Sequence, residues 1–271
     1  KIDQKTNIEQ LFGVAISATL STNYEKKGSH RFHIAVQTRD FSQSISCILN
    51  KGQRTREEEE ELVTEFVIAL ISDCCGFEFK YPKIKEDVEH IQIPAQKGWA
   101  DLMSEKIKFV TSSNQQPKLI FPGAFNPMHD GHIAMSELAN KEMSEEVFFE
   151  ICIQNVDKPP LSYHQIKKTI DQFTDSKNWV LTKAGKFSDK AKLFPNSTFI
   201  IGADTLVRIF DERFYASRRE MMEEFEIFNA NNNNFLVFGR EYKNKFIELD
   251  DIQVPDSIKS RFRGFGENIF R

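Results

Sequence analysis

The chain has 271 residues, of which 40% are hydrophobic and 28% charged, and this composition predicts a packed core and excludes a disordered protein. The formal net charge of −4 argues against a nucleic-acid partner bound through a broad basic face. No apolar run approaches the ~20 residues that span a bilayer, so we expect no membrane span.

Cysteine usage indicates a reducing environment. The chain has four cysteines, namely Cys47, Cys74, Cys75 and Cys152, and none of them forms a CxxC motif. Neither a disulfide framework nor a zinc cluster is indicated, so we expect an intracellular compartment, either the cytoplasm or an organelle matrix. No signal peptide is visible. Because the chain opens with Lys1 rather than methionine, a fragment of a longer protein is one interpretation.

The first region predicts three strands followed by a long helix. The apolar run from Val14 to Leu20 predicts a buried strand, and Arg31–Gln37 alternates apolar and polar residues as a half-buried strand does. Ser44–Leu49 is a third candidate. Thr55 and Glu58 then have the spacing of a capping box at the start of a helix.

The rest of the chain divides at two predicted boundaries. Residues 1–76 are expected to form a smaller α/β domain, 77–117 a connecting segment, and 118–271 a second domain, because periodicity weakens in the middle segment. In the second domain, short apolar runs alternate with amphipathic stretches, which predicts βαβ units and a parallel sheet covered on both faces. The runs are Leu119–Phe121, Val147–Ile153, Trp179–Leu181, Thr198–Ile201 and Phe235–Phe238.

Three helices are predicted between these strands. One begins near Asp130, and another begins at Ser162, where Gln165 completes a capping box. A third covers about Ser217 to Phe228.

The segment FPGAFNPMHDGH, from Phe121 to His132, follows the first strand of the second domain directly. In an open parallel sheet, ligands bind beyond the carboxyl ends of the strands. Gly123 lets the backbone approach a ligand without an intervening side chain. Asp130 can cap the following helix, whose free N–H groups favour an anion.

Two histidines lie at the predicted start of that helix. Since His129 and His132 are three residues apart, both imidazoles can face the same side of the first turn. There they can donate hydrogen bonds to phosphate oxygens and stabilise the charge that builds during attack on an α-phosphate. Gly131 between them leaves room for a nucleotide. A zinc pair is the other interpretation of this spacing, but a third and a fourth ligand are not evident.

The string GAFNPMHDGH resembles the signature of the HxGH nucleotidylyltransferase superfamily, and it is most similar to the nicotinate- and nicotinamide-mononucleotide adenylyltransferase branch. The resemblance implies a Rossmann-like parallel sheet and transfer of an adenylyl group from ATP, with Mg²⁺, to a mononucleotide. It implies catalysis by His129 and His132 without a covalent intermediate. The nucleotide-binding residues that it implies are Gly123, Ala124, Phe125, Asn126, Gly131, Lys158, Gly202, Asp204 and Arg240.

Some of these residues take particular roles by the same resemblance. Asp204, in the segment GADTL, would contact hydroxyls of the mononucleotide or its ribose, and Asn126 would help to orient them. Lys158 would face the substrate phosphates, and Val237–Arg240 would lie near the adenosine. An ISSTxxR-like element that normally clamps the ATP phosphates is not found, since Ser257–Arg263 reads SIKSRFR. Either the chain stops before that element or the site has decayed.

The first domain, from about Gly13 to Gly76, resembles the later part of a CinA-type domain, the nicotinamide-nucleotide amidohydrolase family. The resembling segments are GVAISATL, KKGSHRFHIAVQT and LNKGQRTREEEEELVTEFVIALI. The serine-bearing SCTGG-like segment of that family is absent, so no catalytic residue is carried over. The pairing is chemically coherent, because a deamidase makes the nicotinate mononucleotide that an adenylyltransferase consumes.

Three functions therefore stay open. The first is an enzyme that transfers an adenylyl group to nicotinate or nicotinamide mononucleotide in NAD synthesis. The second is a catalytically degenerate subunit with a structural role beside other protein subunits in a larger assembly. The third keeps the enzyme but changes the acceptor to a phosphocholine- or pantetheine-phosphate-like molecule. Whether the donor is ATP or CTP stays open.

Overall fold

A computed structural model of the chain describes residues 11–24, 26–154, 159–173 and 177–267. The chain forms two compact units. The first comprises Lys1–Ala100 with Ser162–Lys167, and the second comprises Asp101–Leu161 with Lys168–Arg271. The domain limits drawn from the sequence at residues 76 and 117 stay predictions.

The first unit contains a four-stranded antiparallel sheet and a long helix. The strands are β1 (Gly13–Thr19), β2 (His30–Gln37), β3 (Phe41–Leu49) and β4 (Val88–Pro94), paired in that order, and the helix is α1 (Arg56–Cys74). The predicted capping box is confirmed: Thr55 Oγ1 accepts from the Glu58 amide, and the Glu58 carboxylate accepts from the Thr55 amide. It starts α1 by satisfying amides that have no partner inside the helix.

The core of this unit lies between α1 and the two central strands. The rings of Phe32 on β2 and Phe66 on α1 lie with their centroids 5.1 Å apart. The prediction that the strand near Val14 is buried is wrong, because Val14 and Ile16 are 38% and 53% exposed. Among the described strands β1 pairs only with β2, and it contributes no residue to this core. An apolar run alone does not distinguish such an edge strand from a central one.

The second unit is built on a seven-stranded sheet. The strands are β5 (Phe109–Thr111), β6 (Leu119–Pro122), β7 (Val147–Cys152), β8 (Asn178–Thr182), β9 (Thr198–Gly202), β10 (Asn234–Phe238) and β13 (Phe262–Phe265), with the hairpin β11 (Arg240–Tyr242) and β12 (Lys245–Ile247) apart from it. Their order is β13-β10-β9-β6-β7-β8-β5, and only β5 runs antiparallel to its neighbour. The predicted α/β class with a parallel sheet is confirmed.

The helices beyond α1 are α2 (Trp99–Met103), α3 (Asp130–Met143), α4 (Tyr163–Ile170), α5 (Phe187–Leu193), α6 (Ala203–Ile209) and α7 (Arg218–Ala230). Three of them, α3, α4 and α7, were predicted. The capping box before α4 is confirmed, since the Ser162 amide donates to Gln165 Oε1 at 2.9 Å and the Gln165 amide to Ser162 Oγ at 3.3 Å. In the part of the chain that is described, no helix is long and apolar enough to cross a membrane. All four cysteines are free.

The strand order places β6 between β7 and β9. The chain runs outward from β6 through β7 to β8, then returns to β9 on the other side of β6 and continues to β10. This reversal is a topological switch point, which opens a crevice at the carboxyl ends of β6 and β9. The loop that follows β6 and the segment that follows β9 therefore meet at the edge where an α/β sheet binds ligands.

Phenylalanine fills both faces of this sheet. Phe148, Phe199 and Phe235 pack with residues of α5 and α7 in one core. Because successive residues of a strand point to opposite faces, Phe121 and Phe149 face the other side. There they contact the ring of the loop residue Phe125, with centroids 5.5 and 5.3 Å from it.

Candidate functional site

The loop after β6 is shaped by a buried phenylalanine. Phe125 is only 1% exposed, and its backbone has a φ of 42°, in the left-handed region that costs a residue with a side chain about 1–3 kcal/mol. Gly123 is required beside it, because a Cβ there would lie 2.5 Å from Phe125 Cζ. The predicted nucleotide contact of Phe125 stays a prediction, and its ring belongs to the core.

A glutamine outside the motif holds this loop. The amide of Met128 donates to Gln172 Oε1 at 2.8 Å, and Gln172 Nε2 donates to the carbonyl of Phe125 at 2.7 Å. The sequence contains no signal for this role, because Gln172 follows α4 and lies more than forty residues from its partners. The same loop exposes the predicted contact residues Ala124 and Asn126.

The two histidines lie together at the start of α3. The ring centroids of His129 and His132 are 3.7 Å apart and their planes differ by 30°. The His129 amide donates to Nδ1 of His132 at 3.3 Å. A ring nitrogen that accepts is unprotonated, so the neutral His132 ring carries its proton on Nε2, which is a donor for a ligand.

Burial keeps His132 neutral. Its ring lies 5.1 Å from that of Phe125 and 5.8 Å from that of Phe121, measured between centroids. This burial, with smaller contributions from the charges of His129 and Arg240, lowers the pKa of His132 to about 4. At neutral pH, His132 is therefore a neutral hydrogen-bond donor rather than a cation.

The first turn of α3 differs from the prediction in one respect. The residue that precedes the helix is His129, and Asp130 is the first helical residue rather than the cap. The carboxylate of Asp130 still lies in the first turn, where the helix dipole favours negative charge. Gly131 lies against the His129 ring, and a Cβ there would approach His129 Cε1 to 3.2 Å.

A second group of predicted residues lies where β9 and β10 end. Gly202 ends β9 and precedes α6, and a Cβ on it would lie 2.4 Å from Asp204 Oδ1. That oxygen is inaccessible to solvent and, within the described residues, has no hydrogen-bond partner. Arg240 Nε is 4.0 Å away. The Asp204 side chain as a whole is still 35% exposed, so its carboxylate can accept a hydrogen bond from a hydroxyl group of a ligand.

The charge of Arg240 acts on both Asp204 and His132. Its charge faces Asp204 across 4.0 Å and is also one of the causes that lower the pKa of His132. The structure thus brings the histidines, Asp204 and Arg240 to one edge of the sheet. A site with hydrogen-bond donors, a cation and a free carboxylate oxygen can bind phosphate and hydroxyl groups together.

The remaining predicted elements have other outcomes. Lys158, with Asn155 and Asp157, lies outside the described residues. The segment Ser257–Arg263 forms a 3₁₀ turn and the start of β13. In 11–24, 26–154, 159–173 and 177–267, no group of three or more His, Cys, Asp or Glu residues could hold a metal ion.

The parallel sheet and the loop at its edge form a Rossmann-like domain. Residues 120–254 match the model of the Cytidylyltransferase-like family, and this range contains the loop, Asp204 and Arg240. The superfamily predicted from the histidine motif is supported to that extent. The mononucleotide adenylyltransferase branch and the CinA resemblance stay predictions.

A solved structure is also similar to the chain. It is that of Plasmodium falciparum nicotinic acid mononucleotide adenylyltransferase complexed with NaAD, which is 17% identical, with a TM-score of 0.32. The similarity covers 55% of this chain and 72% of that one, and it says nothing about the substrate of this chain. No match was found among curated proteins.

Proposed function

We propose that the protein transfers an adenylyl group from MgATP to nicotinate or nicotinamide mononucleotide, the reaction that forms the dinucleotide in NAD synthesis. The observation that carries the proposal is the close pair of His129 and His132 after the central strand, in which neutral His132 carries its proton on Nε2. The partly exposed carboxylate of Asp204 on the neighbouring strand end supports it.

The reaction needs positioning and charge stabilisation rather than a nucleophilic side chain. A phosphate oxygen of the mononucleotide attacks the α-phosphorus of ATP, a new P–O bond forms, and the bond to the leaving pyrophosphate breaks. His132 would donate its Nε2 proton in a hydrogen bond to an α-phosphate oxygen, where negative charge builds. Because the histidine stays neutral, it stabilises that charge without transferring its proton.

The remaining residues would bind the two substrates. His129 and the free amides of the first turn of α3 would contact phosphates, since a helix N-terminus favours an anion. Arg240 would add a positive charge beside them. Asp204 and the exposed Asn126 would accept and donate hydrogen bonds at substrate hydroxyls. Magnesium enters with ATP as part of the substrate.

A catalytically degenerate subunit is the second candidate, and the late basic segment favours it. Arg261 is bonded to Asn229 Oδ1 and Asn232 Oδ1, and Arg263 to Glu142 Oε2. These two guanidinium groups are thus engaged by neighbouring side chains of the protein itself.

Calorimetric titration separates the candidates. We expect the protein to bind MgATP and nicotinate mononucleotide, and an assay for pyrophosphate to show their reaction. MgCTP, phosphocholine and phosphopantetheine test the other donor and acceptors. Binding of a nucleotide without pyrophosphate release from any donor and acceptor pair would favour the degenerate subunit. Absence of all binding would reject transfer to the mononucleotide and transfer to the other acceptors alike.

A further inference from the structure

We infer that Gln172 is a positioning residue, whose side-chain amide holds the loop between Gly123 and His129 in the conformation that presents the two imidazoles. This inference rests on the proposed function of that loop. Gln172 lies outside the histidine motif, beyond the end of α4, and its hydrogen bonds go to backbone groups of Phe125, Met128 and Thr169.

The amide of Gln172 bonds both ends of a four-residue turn. Its Oε1 accepts from the Met128 amide at 2.8 Å, and its Nε2 donates to the Phe125 carbonyl at 2.7 Å. Asn126 lies between these points, and His129 follows directly. A single side chain therefore closes the turn from which Asn126 and His129 project.

The orientation of this amide is determined by its partners. Nε2 also donates to the carbonyl of Thr169 at 3.2 Å, so the nitrogen faces two carbonyl groups and the oxygen faces an N–H group. The reversed amide would place oxygen against two acceptors. Glutamine is one of the few side chains that can accept and donate in this way at one point.

The segment that carries Gln172 is itself anchored. The amide of Phe173 donates to the Ile170 carbonyl at 2.8 Å, and the Phe173 ring packs 5.8 Å from the Phe125 ring and 5.1 Å from the Phe149 ring. The glutamine is thus part of a segment that packs against the core rings of Phe125 and Phe149. The left-handed backbone of Phe125, with its φ of 42°, is the conformation that such support maintains.

Two substitutions distinguish the accepting oxygen of Gln172 from its donating nitrogen. Gln172→Met keeps a similar length and removes both hydrogen-bonding functions. Gln172→Glu keeps the acceptor for the Met128 amide but replaces the donor by a carboxylate oxygen that faces the carbonyls of Phe125 and Thr169. Gln116→Met, at an exposed position of the same unit, is the matched control.

The first measurement is hydrogen exchange at the Met128 amide in the ligand-free protein. We expect exchange to be about 10-fold faster or more in Gln172→Met than in the unsubstituted protein, because the amide loses its partner. In Gln172→Glu it should stay slow, and in Gln116→Met it should not change. Equal exchange rates in Gln172→Met and the unsubstituted protein would overturn the inference.

The second measurement is steady-state kinetics with MgATP and nicotinate mononucleotide. Both Gln172 variants should lower kcat by about 10- to 100-fold, with a smaller change in KM, because the histidines lose alignment in the reacting complex. An unchanged kcat in both variants would reject the positioning role. If the unsubstituted protein neither binds nor reacts, the proposed function fails, and the exchange rates still decide whether Gln172 holds the loop.

Discussion

Buried carboxylate groups of the two units differ in their hydrogen-bond partners. In the first unit, Glu59 accepts from the Ser21 amide at 2.6 Å and contacts His30 Nδ1 at 2.8 Å, and Glu86 pairs with Arg54. In the second unit, Asp204 Oδ1 is buried 4.0 Å from Arg240 Nε and has no hydrogen-bond partner among the described residues. A buried carboxylate with hydrogen-bond partners stabilises the fold. A buried carboxylate oxygen without a hydrogen bond lowers the stability, and such a group is retained where a ligand uses it.

The second unit also contains a buried carboxylate that has hydrogen-bond partners, Glu150. Glu150 on β7 is 1% exposed, and both of its oxygens accept from Lys190 Nζ, at 2.7 and 2.8 Å. Thr182 Oγ1 donates to the same carboxylate. The difference therefore lies in position rather than in the unit: Glu150 lies within a strand, and Asp204 lies beyond the end of one.

The largest effect is expected at the histidine pair of the loop after β6. Replacing His132 by alanine should lower turnover by ~10²-fold or more, because a hydrogen bond to the charge that builds on the α-phosphate is lost. The measurement is the rate of pyrophosphate release at saturating substrates. The control is His33→Ala, since His33 is exposed on the first unit. A rate within a few-fold of the unsubstituted protein, with folding verified by circular dichroism, would contradict the proposal.

The next test replaces a carboxylate by an amide in each unit, at Asp204 and at Glu86. Asp204→Asn should weaken binding of the mononucleotide by about 10- to 100-fold, because hydrogen bonds to charged groups contribute about 1.5–3 kcal/mol. It should leave the melting temperature almost unchanged, because the Asp204 carboxylate is partly exposed and its ion pair with Arg240 is long, at 4.0 Å. Calorimetry and thermal denaturation measure the two effects. A fall in stability without a loss of binding would assign Asp204 to the fold.

Glu86→Gln should lower the stability of the fold and leave nucleotide binding unchanged. Arg54 donates two hydrogen bonds to the Glu86 carboxylate, whose side chain is 2% exposed. We expect the free energy of unfolding to fall by about 1.5–3 kcal/mol, with no effect on nucleotide binding. Chemical denaturation beside the Asp204→Asn variant measures this. Unchanged stability would show that the pair contributes nothing net.

The same pair predicts a pH dependence. The hydrogen bonds from Arg54 are the largest cause that lowers the pKa of Glu86 to about 2, against an ordinary value of 4.5. A carboxyl group whose pKa is lower in the folded state stabilises the fold above its unfolded pKa. That contribution should be lost as the pH falls from about 4.5 towards 2, and the acid limb of stability should be shallower in Glu86→Gln.

The smallest effect concerns the titration of His132. Its ring should titrate in NMR spectra near the pKa of about 4 that burial produces. Replacing Arg240 by methionine should raise that pKa slightly, since the Arg240 charge is the third of its causes. A pKa in the ordinary range near 6.5 would show that the ring is not packed against Phe121 and Phe125.

Local patterns predicted much of this fold. The capping boxes at Thr55 and Ser162, the alternation of β2 and the five apolar runs of the second unit each depend on residues close together in the chain, and each is confirmed. The exposure of β1 was missed because it depends on what covers a strand. The short strands β5 and β11 to β13 were missed because three or four residues carry too little periodicity.

By itself, the sequence determined the class of fold and the loop of two histidines, because glycine, capping residues and hydrophobic period act over a few neighbours. Only the tertiary structure decided that Asp204 and Arg240 lie at the same edge as those histidines, and that Gln172 holds the loop. These contacts join segments more than thirty residues apart. Packing of the whole sheet brings such segments together, and no local pattern encodes that packing.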